Sequence, residues 1–521
     1  MRTHLFTALL LASLTVTACS SSHEAAGETP DPGGPNAENP KAPPVSGTPS
    51  DSELTEDFGV FVSKTGNDAN TGARPKPFAT IGAGIAEAKR VGKRVYVCAG
   101  TYHESITVQD SISIIGSLDC STPTWKSSTN ATRVESPSSP AMRATDITSP
   151  TRIEGLMLLA PNATASSGSS IGLVAERASG LVIARSRIMA GNAASGEDGV
   201  EGVQLSNGAT VRGAAYVPEA ECVQGGVAQT CTPSVSLGWL KPKGGAGGVG
   251  ACMGEAGHDG EAGGNGGSGG LHEPYYNGSA LRFMFRYFDD KVSNGPELGV
   301  VKQGVAGTAG TDGANANTIG VFSAEGYTPA DGVPGTSGAP GKGGYGGRGA
   351  NPQRDPNATP TNGVWRGIGG AGGGAGGCPG LAGTAGTGGG ASVAALLIDS
   401  PVVIDDSTLV ASSGGHGGRG ALGSVPTAGG APGNVAAGIP AIVAGAPGGR
   451  GGAAGVSGNG APGPSVGIAY KGAAPKLLST SSVTRGNGGV ARDAQTRTDG
   501  FGNVKTVPAM PAGVSQDILA L

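Results

Sequence analysis

Three segments of the chain repeat one arrangement of apolar and polar positions. The first begins Ser170-Ile171-Gly172-Leu173-Val174 and continues through Leu181-Val182-Ile183, Ser186 and Ile188-Met189 to Gly191. The second begins Ser392-Val393-Ala394-Ala395-Leu396, then Val402-Val403-Ile404, Ser407 and Leu409-Val410; the third begins Ser465-Val466-Gly467-Ile468-Ala469, then Leu477-Leu478, Ser481 and Val483. A single one-residue gap aligns them. Short apolar runs divided by Ser, Gly, Asp or Pro and returning after about 22 residues predict coils of a parallel β-helix, an all-β fold in which each coil buries its inward side chains only against the next. On this reading Ile183, Ile404 and Leu478 stand above one another, and the glycine tracts after each repeat are side loops of a solenoid.

The stretch from Phe58 to Trp125 supplies the start of such a stack. Val60-Phe61-Val62 reads as a strand, followed by the turn-rich run from Gly66 to Gly72. Thr80 is placed as an N-cap, Ile81, Ile85, Ala88 and Val91 recur near helical spacing, and Gly92 is placed to stop the helix. Alternating strands follow at Val95-Tyr96-Val97, Gly100-Thr101-Tyr102, Ile106-Thr107-Val108 and Ile112-Ser113-Ile114. A helix across the first coil meets a physical need, because an open solenoid end exposes its core and an unpaired strand edge.

The order Gly66-x-Asp68-x-Asn70-x-Gly72, Pro77-Phe78-x-Thr80-Ile81, Ala88, Val95-x-Val97 and Gly100-Thr101-Tyr102 resembles the N-terminal region of pectate-lyase-like right-handed parallel β-helix proteins. Cys98, Leu118-Asp119-Cys120, Trp125 and the Gly-rich texture resemble myxobacterial-type Gly-rich lipoproteins, the PGRS family. The expected organisation is a cap and first coils over 58–191, a Gly-rich insertion over 192–391, a coil over 392–411, a second Gly-rich insertion over 412–464, and a C-terminal coil and tail over 465–521.

Both insertions must leave the stack side by side, since equivalent corners of adjacent coils lie about 4.8 Å apart. Glycine recurs at every third position from 254 to 269, from 332 to 347 and from 377 to 389. That period suits a polyglycine-II-like helix with one bare edge per turn, and a bundle of such strands beside the coils is the preferred expectation, with disordered loops as the alternative. Collagen fits poorly, because the triplet blocks are short and poor in proline.

The N-terminus adds an address. Arg2, the apolar run Leu5 to Val16, and Val16-Thr17-Ala18 before Cys19 read as a signal peptide over 1–18. This resembles a lipobox, which implies cleavage before Cys19, acylation of its thiol and, with Ser20 next, attachment to the outer membrane on its periplasmic or extracellular face. Residues 19–57 carry few large apolar side chains and are expected to be a disordered tether. The remaining cysteines are even in number, which in an exported chain argues for disulfides; proximity suggests Cys98 with Cys120 and Cys222 with Cys231, leaving Cys252 with Cys378.

Candidate chemistry is sparse. The net charge is −4 with 14% charged residues, which provides no electrostatic footprint for nucleic acid. Asp405-Asp406 and Gly415-His416-Gly417 are superficially similar to polygalacturonase motifs, but the histidine follows too soon and no Arg-Ile-Lys comes after it. No catalytic residue and no cofactor is assigned. Asp68 and Asn70 are weak calcium candidates within a run of turn formers. An aromatic island holds Tyr275, Tyr276, Phe283, Phe285 and Tyr287, which suits either a local hairpin core or a platform for sugar rings. The expected function is a non-enzymatic outer-membrane lipoprotein, held to the membrane by its lipid, with a structural or adhesive role or contact with polysaccharide or other surface proteins. The alternatives are a carbohydrate-active enzyme on uronic-acid polymers and an ice- or surface-binding polyglycine layer.

Overall fold

The computed structural model describes residues 48–215, 222–224, 227–229, 244–265, 271–277, 280–286, 302–349, 369–435, 444–478 and 480–521. Strands dominate, and most are parallel members of three sheets. From Met142–Thr145 onward the chain visits the sheets in a fixed rotation. Thr151–Glu154 joins the first sheet, Leu156–Leu159 the second and Ser170–Glu176 the third; Leu181–Ala184, Arg187–Met189 and Ser392–Ile398 then repeat the order. The next round is Val403–Asp405, Thr408–Val410 and Ser465–Lys471, and the last is Lys476–Leu477, Ser482–Thr484 and Ser515–Ala520.

The aligned repeats therefore stack. Ser170, Ser392 and Ser465 are register partners, and so are Ile183 and Ile404. The residue paired with Ile404 on the next strand is Leu477, one position before the expected Leu478. Both leucines are apolar, so the pattern alone leaves the register of that two-residue strand undetermined. Inward residues of all three sheets, among them Val134, Leu158, Ile183, Leu173, Ile404 and Leu409, form one buried cluster.

Two columns of left-handed residues turn the chain between sheets. Asp146, Arg177 and Asp399 follow the strands of the third sheet with φ of 54°, 48° and 49°; Arg185 and Asp406 sit between the first and second sheets with φ of 41° and 42°. Four of them are held from the next rung: Asp146, Arg177, Asp399 and Arg185 donate their N–H groups to Glu176 O, Ile398 O, Lys471 O and Asp405 O at 2.9 to 3.0 Å. Side chains other than glycine cost of order 1 kcal/mol in this conformation, and the stacked hydrogen bonds offset it.

The helix Ile81–Val91 lies against the first strands as expected. The Thr80 hydroxyl accepts from Ala83 N–H, and Gly92 closes the helix at φ 69°. Glu104, from a neighbouring turn, accepts from the N–H groups of Ile81 and Gly82 at 2.8 and 2.9 Å, a carboxylate placed where the helix has spare donors. Ile81, Ile85 and Ala88 are buried with Val62 and Val95.

Buried serines join the rungs where the chain leaves for its Gly-rich excursions. Ser392 Oγ donates to Gly191 O at 2.8 Å and accepts from Ser412 N–H at 2.9 Å; Ser465 Oγ repeats this with Ser412 O and Gly486 N–H. The recurrence of Ser at the head of each repeat thus has a cause: a small hydroxyl satisfies one donor and one acceptor at a corner where the ladder ends.

The Gly-rich segments form an ordered lattice of extended chain. Segment 369–391 lies at its centre and donates in three phases. Gly374, Gly377, Gly380, Gly386 and Gly389 N–H reach the carbonyls of Ala446, Gly449, Gly452, Gly458 and Ala461. Gly372, Ala375, Thr384, Thr387 and Gly390 reach those of Ala214, Val211, Val200, Glu197 and Ala194, while Gly373 and Gly376 reach Gly264 and Glu261. The same segment accepts from Gly415, Gly418, Ala421, Ser424, Thr427, Gly430 and Gly433. A step of three on both partners is what a threefold extended helix dictates. The expected glycine run from 254 joins the lattice at Glu261 and Gly263, whose N–H groups donate to Gly341 O and Gly248 O, whereas Gly254 and Gly257 have positive φ in the turn before it.

Polar residues in these segments recur at the same period because they finish the edge. Ser195 Oγ and Asp198 Oδ1 accept from the N–H groups of His416 and Arg419, and the Glu201 carboxylate and the Gln204 amide oxygen accept from the N–H groups of Leu422 and Val425. The Cys252–Cys378 disulfide links two lattice segments 126 residues apart in sequence, and Cys98–Cys120 closes a loop on the first sheet. Cys231 lies outside the described residues; Cys222 is in the strand Cys222–Gln224, paired with Val227–Gln229.

Candidate contact surface

The outer faces of the three sheets have different fates. On the first sheet, Phe61, Tyr96, Cys98, Ile115 and Leu118 are covered by Leu54 and Trp125, with Trp125 edge-on to Phe61 at 4.8 Å between ring centroids. Residues 48–57, part of the expected tether, belong to this cover: Leu54 is buried and Thr48 Oγ1 donates to Glu154 Oε1 at 2.7 Å. On the third sheet, Ile171, Val174, Val393, Leu396 and Val466 are covered by Phe322 and Tyr327 from the hairpin of Val321–Ser323 with Gly326–Thr328.

The second sheet is left open among the described residues. Its strands are Gly100–Tyr102, Thr132–Glu135, Leu156–Leu159, Arg187–Met189, Thr408–Val410 and Ser482–Thr484. Tyr102, Val134, Leu158, Ile188 and Leu409 point inward and are buried, so their neighbours point out. Register puts Thr101, Arg133, Met157, Arg187, Thr408 and Ser482 in one outward row. Glu135, Leu159, Met189, Val410 and Thr484 make the second. Met157, Leu159, Met189 and Val410 are half-buried, and Arg187 is exposed. Arg133 Nε donates to Glu135 Oε1 at 2.5 Å, and His103 Nδ1 lies 3.3 Å from Glu135 Oε2. Arg187 has no side-chain partner among the described residues. The face is thus a flat strip, apolar at its centre, with one paired and one unpaired arginine.

A buried charge group stands on the first sheet. Glu154 is fully buried and pairs with Arg152 and Arg185 as well as with Thr48. Burial pushes its carboxyl upward, but the hydrogen bonds of Arg152 and Thr48 and the charges of Arg152 and Arg185 outweigh this and hold it below the usual carboxylate range. All its described partners are satisfied, which marks a structural lock.

The residues singled out in the sequence do not converge. Asp68 takes hydrogen bonds from Ala79 N–H, Thr80 N–H and Thr80 Oγ1 at 2.8, 2.9 and 2.9 Å, and Asn70 Nδ2 donates to Pro77 O at 2.9 Å, so both brace the approach to the helix. Among the described residues no group of three or more His, Cys, Asp or Glu is arranged to hold a metal ion. Asp405 ends a strand, Asp406 occupies the left-handed corner, and His416 lies in the lattice with Nδ1 accepting from Val490 N–H at 3.0 Å. Tyr275, Tyr276, Phe283 and Phe285 lie in an antiparallel hairpin that pairs Pro274 with Phe283 and His272 with Phe285; Tyr287 lies outside the described residues.

Cys19 and the expected signal peptide also lie outside the described residues. No helix among those described is long and apolar enough to cross a membrane. Sequence reasoning missed Arg187, Met157, Leu159 and Met189 as a surface; the one available signal was the buried central residue of each three- or four-residue strand. No family model matches the chain, and comparison with curated proteins and with solved structures returned no match.

Proposed function

We propose that this chain is a non-enzymatic, lipid-anchored protein of the outer membrane that serves surface structure, adhesion or contact with glycans. In this reading the three-sheet stack is a right-handed parallel β-helix of pectate-lyase-like kind, and the Gly-rich lattice is a polyglycine-II-like slab built onto its side. The supporting observation is the interlocked build. Segment 369–391 is largely buried and exchanges backbone hydrogen bonds with neighbours on every side, so two different architectures merge into one stiff body. Such stiffness suits a scaffold that holds a fixed surface away from a membrane. Incubating purified protein with a panel of neutral and acidic polysaccharides should release neither reducing ends nor unsaturated products. Turnover of any of them would overturn the non-enzymatic reading. Metabolic labelling with a clickable fatty acid should mark the native chain and leave a Cys19→Ser variant unlabelled; equal labelling would overturn the anchor.

A further inference from the structure

The two ends of the stack are finished differently. At the N-terminal end the helix Ile81–Val91 lies over the first strands, buries Ile81, Ile85 and Ala88 with Val62 and Val95, and leaves Lys89 and Arg90 exposed. At the C-terminal end each sheet stops on a strand paired along one side only: Lys476–Leu477, Ser482–Thr484 and Ser515–Ala520. Their inward residues continue columns that are buried in the preceding rung. Leu477 follows Ile404, Val483 follows Leu409 and Ile518 follows Ile468, yet Leu477 and Val483 are half-buried and Ile518 is 42% exposed. The hairpin of Gln495–Thr498 with Val504–Val507 packs Val507 on Leu422 and Val456, so it covers part of the lattice and leaves this three-walled core open among the described residues.

An occupant that finishes the core must supply an apolar residue for each wall and a strand edge for the third sheet, whose terminal strand is the longest. A lone peptide strand meets one edge and leaves the other walls open. The same face of a second copy meets all three. A twofold axis through Ile518, normal to the third sheet, sets Ser515–Ala520 antiparallel to its own copy and keeps both inward faces on one side, so the two cores join. That rotation exchanges the other walls and brings Leu477 of one copy to the partner's Val483. It also sends the two Gly-rich lattices, which leave between the second and third sheets, to opposite flanks. A coil of about 22 residues at about 3.3 Å each has a perimeter of about 70 Å; with half the spacing of packed sheets, about 5 Å, added around it, the section is roughly 650 Å². Two copies together bury roughly 1,300 Å², at the low end of specific interfaces.

We propose that the chain forms a closed, twofold, end-to-end dimer through this C-terminal face. Growth stops at two copies because the helix caps the other end of each stack. The N-terminal caps then lie at the far ends of the dimer, an arrangement that fits the adhesive reading above without depending on it.

The test is sedimentation equilibrium of the full chain carrying Cys19→Ser, which removes the proposed lipid, between about 1 and 100 μM, the range suited to an interface of this size. A reversible equilibrium of monomer and dimer is the expected result. Ile518→Asp sets two carboxylates against each other on the axis and weakens dimerisation about tenfold or more. Val305→Asp, at a 70% exposed valine of the lattice, leaves it unchanged. Residues directly opposite in an antiparallel pair stand about 4.5 to 5.5 Å apart, within disulfide range, so Ile518→Cys gives on oxidation a covalent dimer that the parent chain does not. Circular dichroism confirms that each variant is folded; if Ile518→Asp is not, the cross-link carries the test. A monomer throughout the concentration range overturns the proposal. So does a dimer that folded Ile518→Asp leaves intact, or a ladder of larger species in place of a closed pair. A dimer in which Ile518→Cys fails to cross-link overturns it as well.

Discussion

Replacing Gly376 by alanine tests the lattice at its centre. A Cβ there would lie 1.8 Å from the carbonyl oxygen and 2.3 Å from the carbonyl carbon of Gly341. Non-bonded heavy atoms are most favourable near 3.5 Å, so the two segments must move apart by more than about 1 Å. The obstacle is backbone, and no side-chain rotation relieves it. The separation strains the bonds from Gly376 N–H to Glu261 O at 2.8 Å, from Glu261 N–H to Gly341 O at 3.1 Å and from Gly341 N–H to Gly377 O at 2.9 Å. Overpacking of about 1 to 3 kcal/mol and two or three weakened bonds of about 1 kcal/mol each sum to about 3 to 6 kcal/mol. Urea unfolding compared with Gly500→Ala gives the readout, because a Cβ at Gly500 meets nothing within 4 Å. Gly376→Ala should unfold at clearly lower urea and Gly500→Ala should match the wild type within about 0.5 kcal/mol. Equal midpoints for the two variants would refute the packing argument.

Other consequences follow from the same structure. In the chain-entropy view, removing the Cys252–Cys378 link over its separation of 126 residues costs about 5 kcal/mol, so Cys252→Ser with Cys378→Ser should lower the urea midpoint relative to the oxidised wild type; an unchanged midpoint counts against it. The carboxyl of Glu154 is held below its unfolded pKa, so its contribution is present above that unfolded value and is lost as pH falls through the folded one. Glu154→Gln should therefore cost about 3 kcal/mol at neutral pH, leaving Arg152 without its buried partner, and the deficit should shrink on acidification below about pH 4; a deficit independent of pH would contradict the assignment. Ser392→Ala strands Gly191 O and Ser412 N–H at a buried corner and should cost about 1 to 3 kcal/mol by equilibrium unfolding, against little change for exposed Ser482→Ala.

The parts of the fold that could be read from the chain are those where one residue type has one job. Thr80 and Gly92 bound the helix because an N-cap needs a side-chain oxygen and a left-handed end favours glycine. The serines at 170, 392 and 465 marked the corners because a hydroxyl there serves a donor and an acceptor of different rungs. Glycine at every third position foretold close backbone packing, although the run from 254 contained a turn. What escaped was set by pairing between distant segments. Glu154 looks like an exposed strand end until Arg185, 31 residues on, and Thr48, 106 residues back, close over it. Asp198, Glu201 and Gln204 look like solvated polar residues, yet their partners lie 221 positions away. Arg187 and Met189 flank a single buried isoleucine, too short a pattern to declare a face, and only the absence of a cover among the described residues distinguishes this sheet from the other two.

The interlocked build requires the Gly-rich segments to be a hydrogen-bonded continuation of the stacked strands. Amide hydrogen exchange followed by mass spectrometry, comparing peptides from 369–391 with peptides from the strand Ser392–Ile398, addresses this directly. Protection in 369–391 as strong as in the strand is the predicted result. Exchange complete within seconds in 369–391, with the strand still protected, would contradict it.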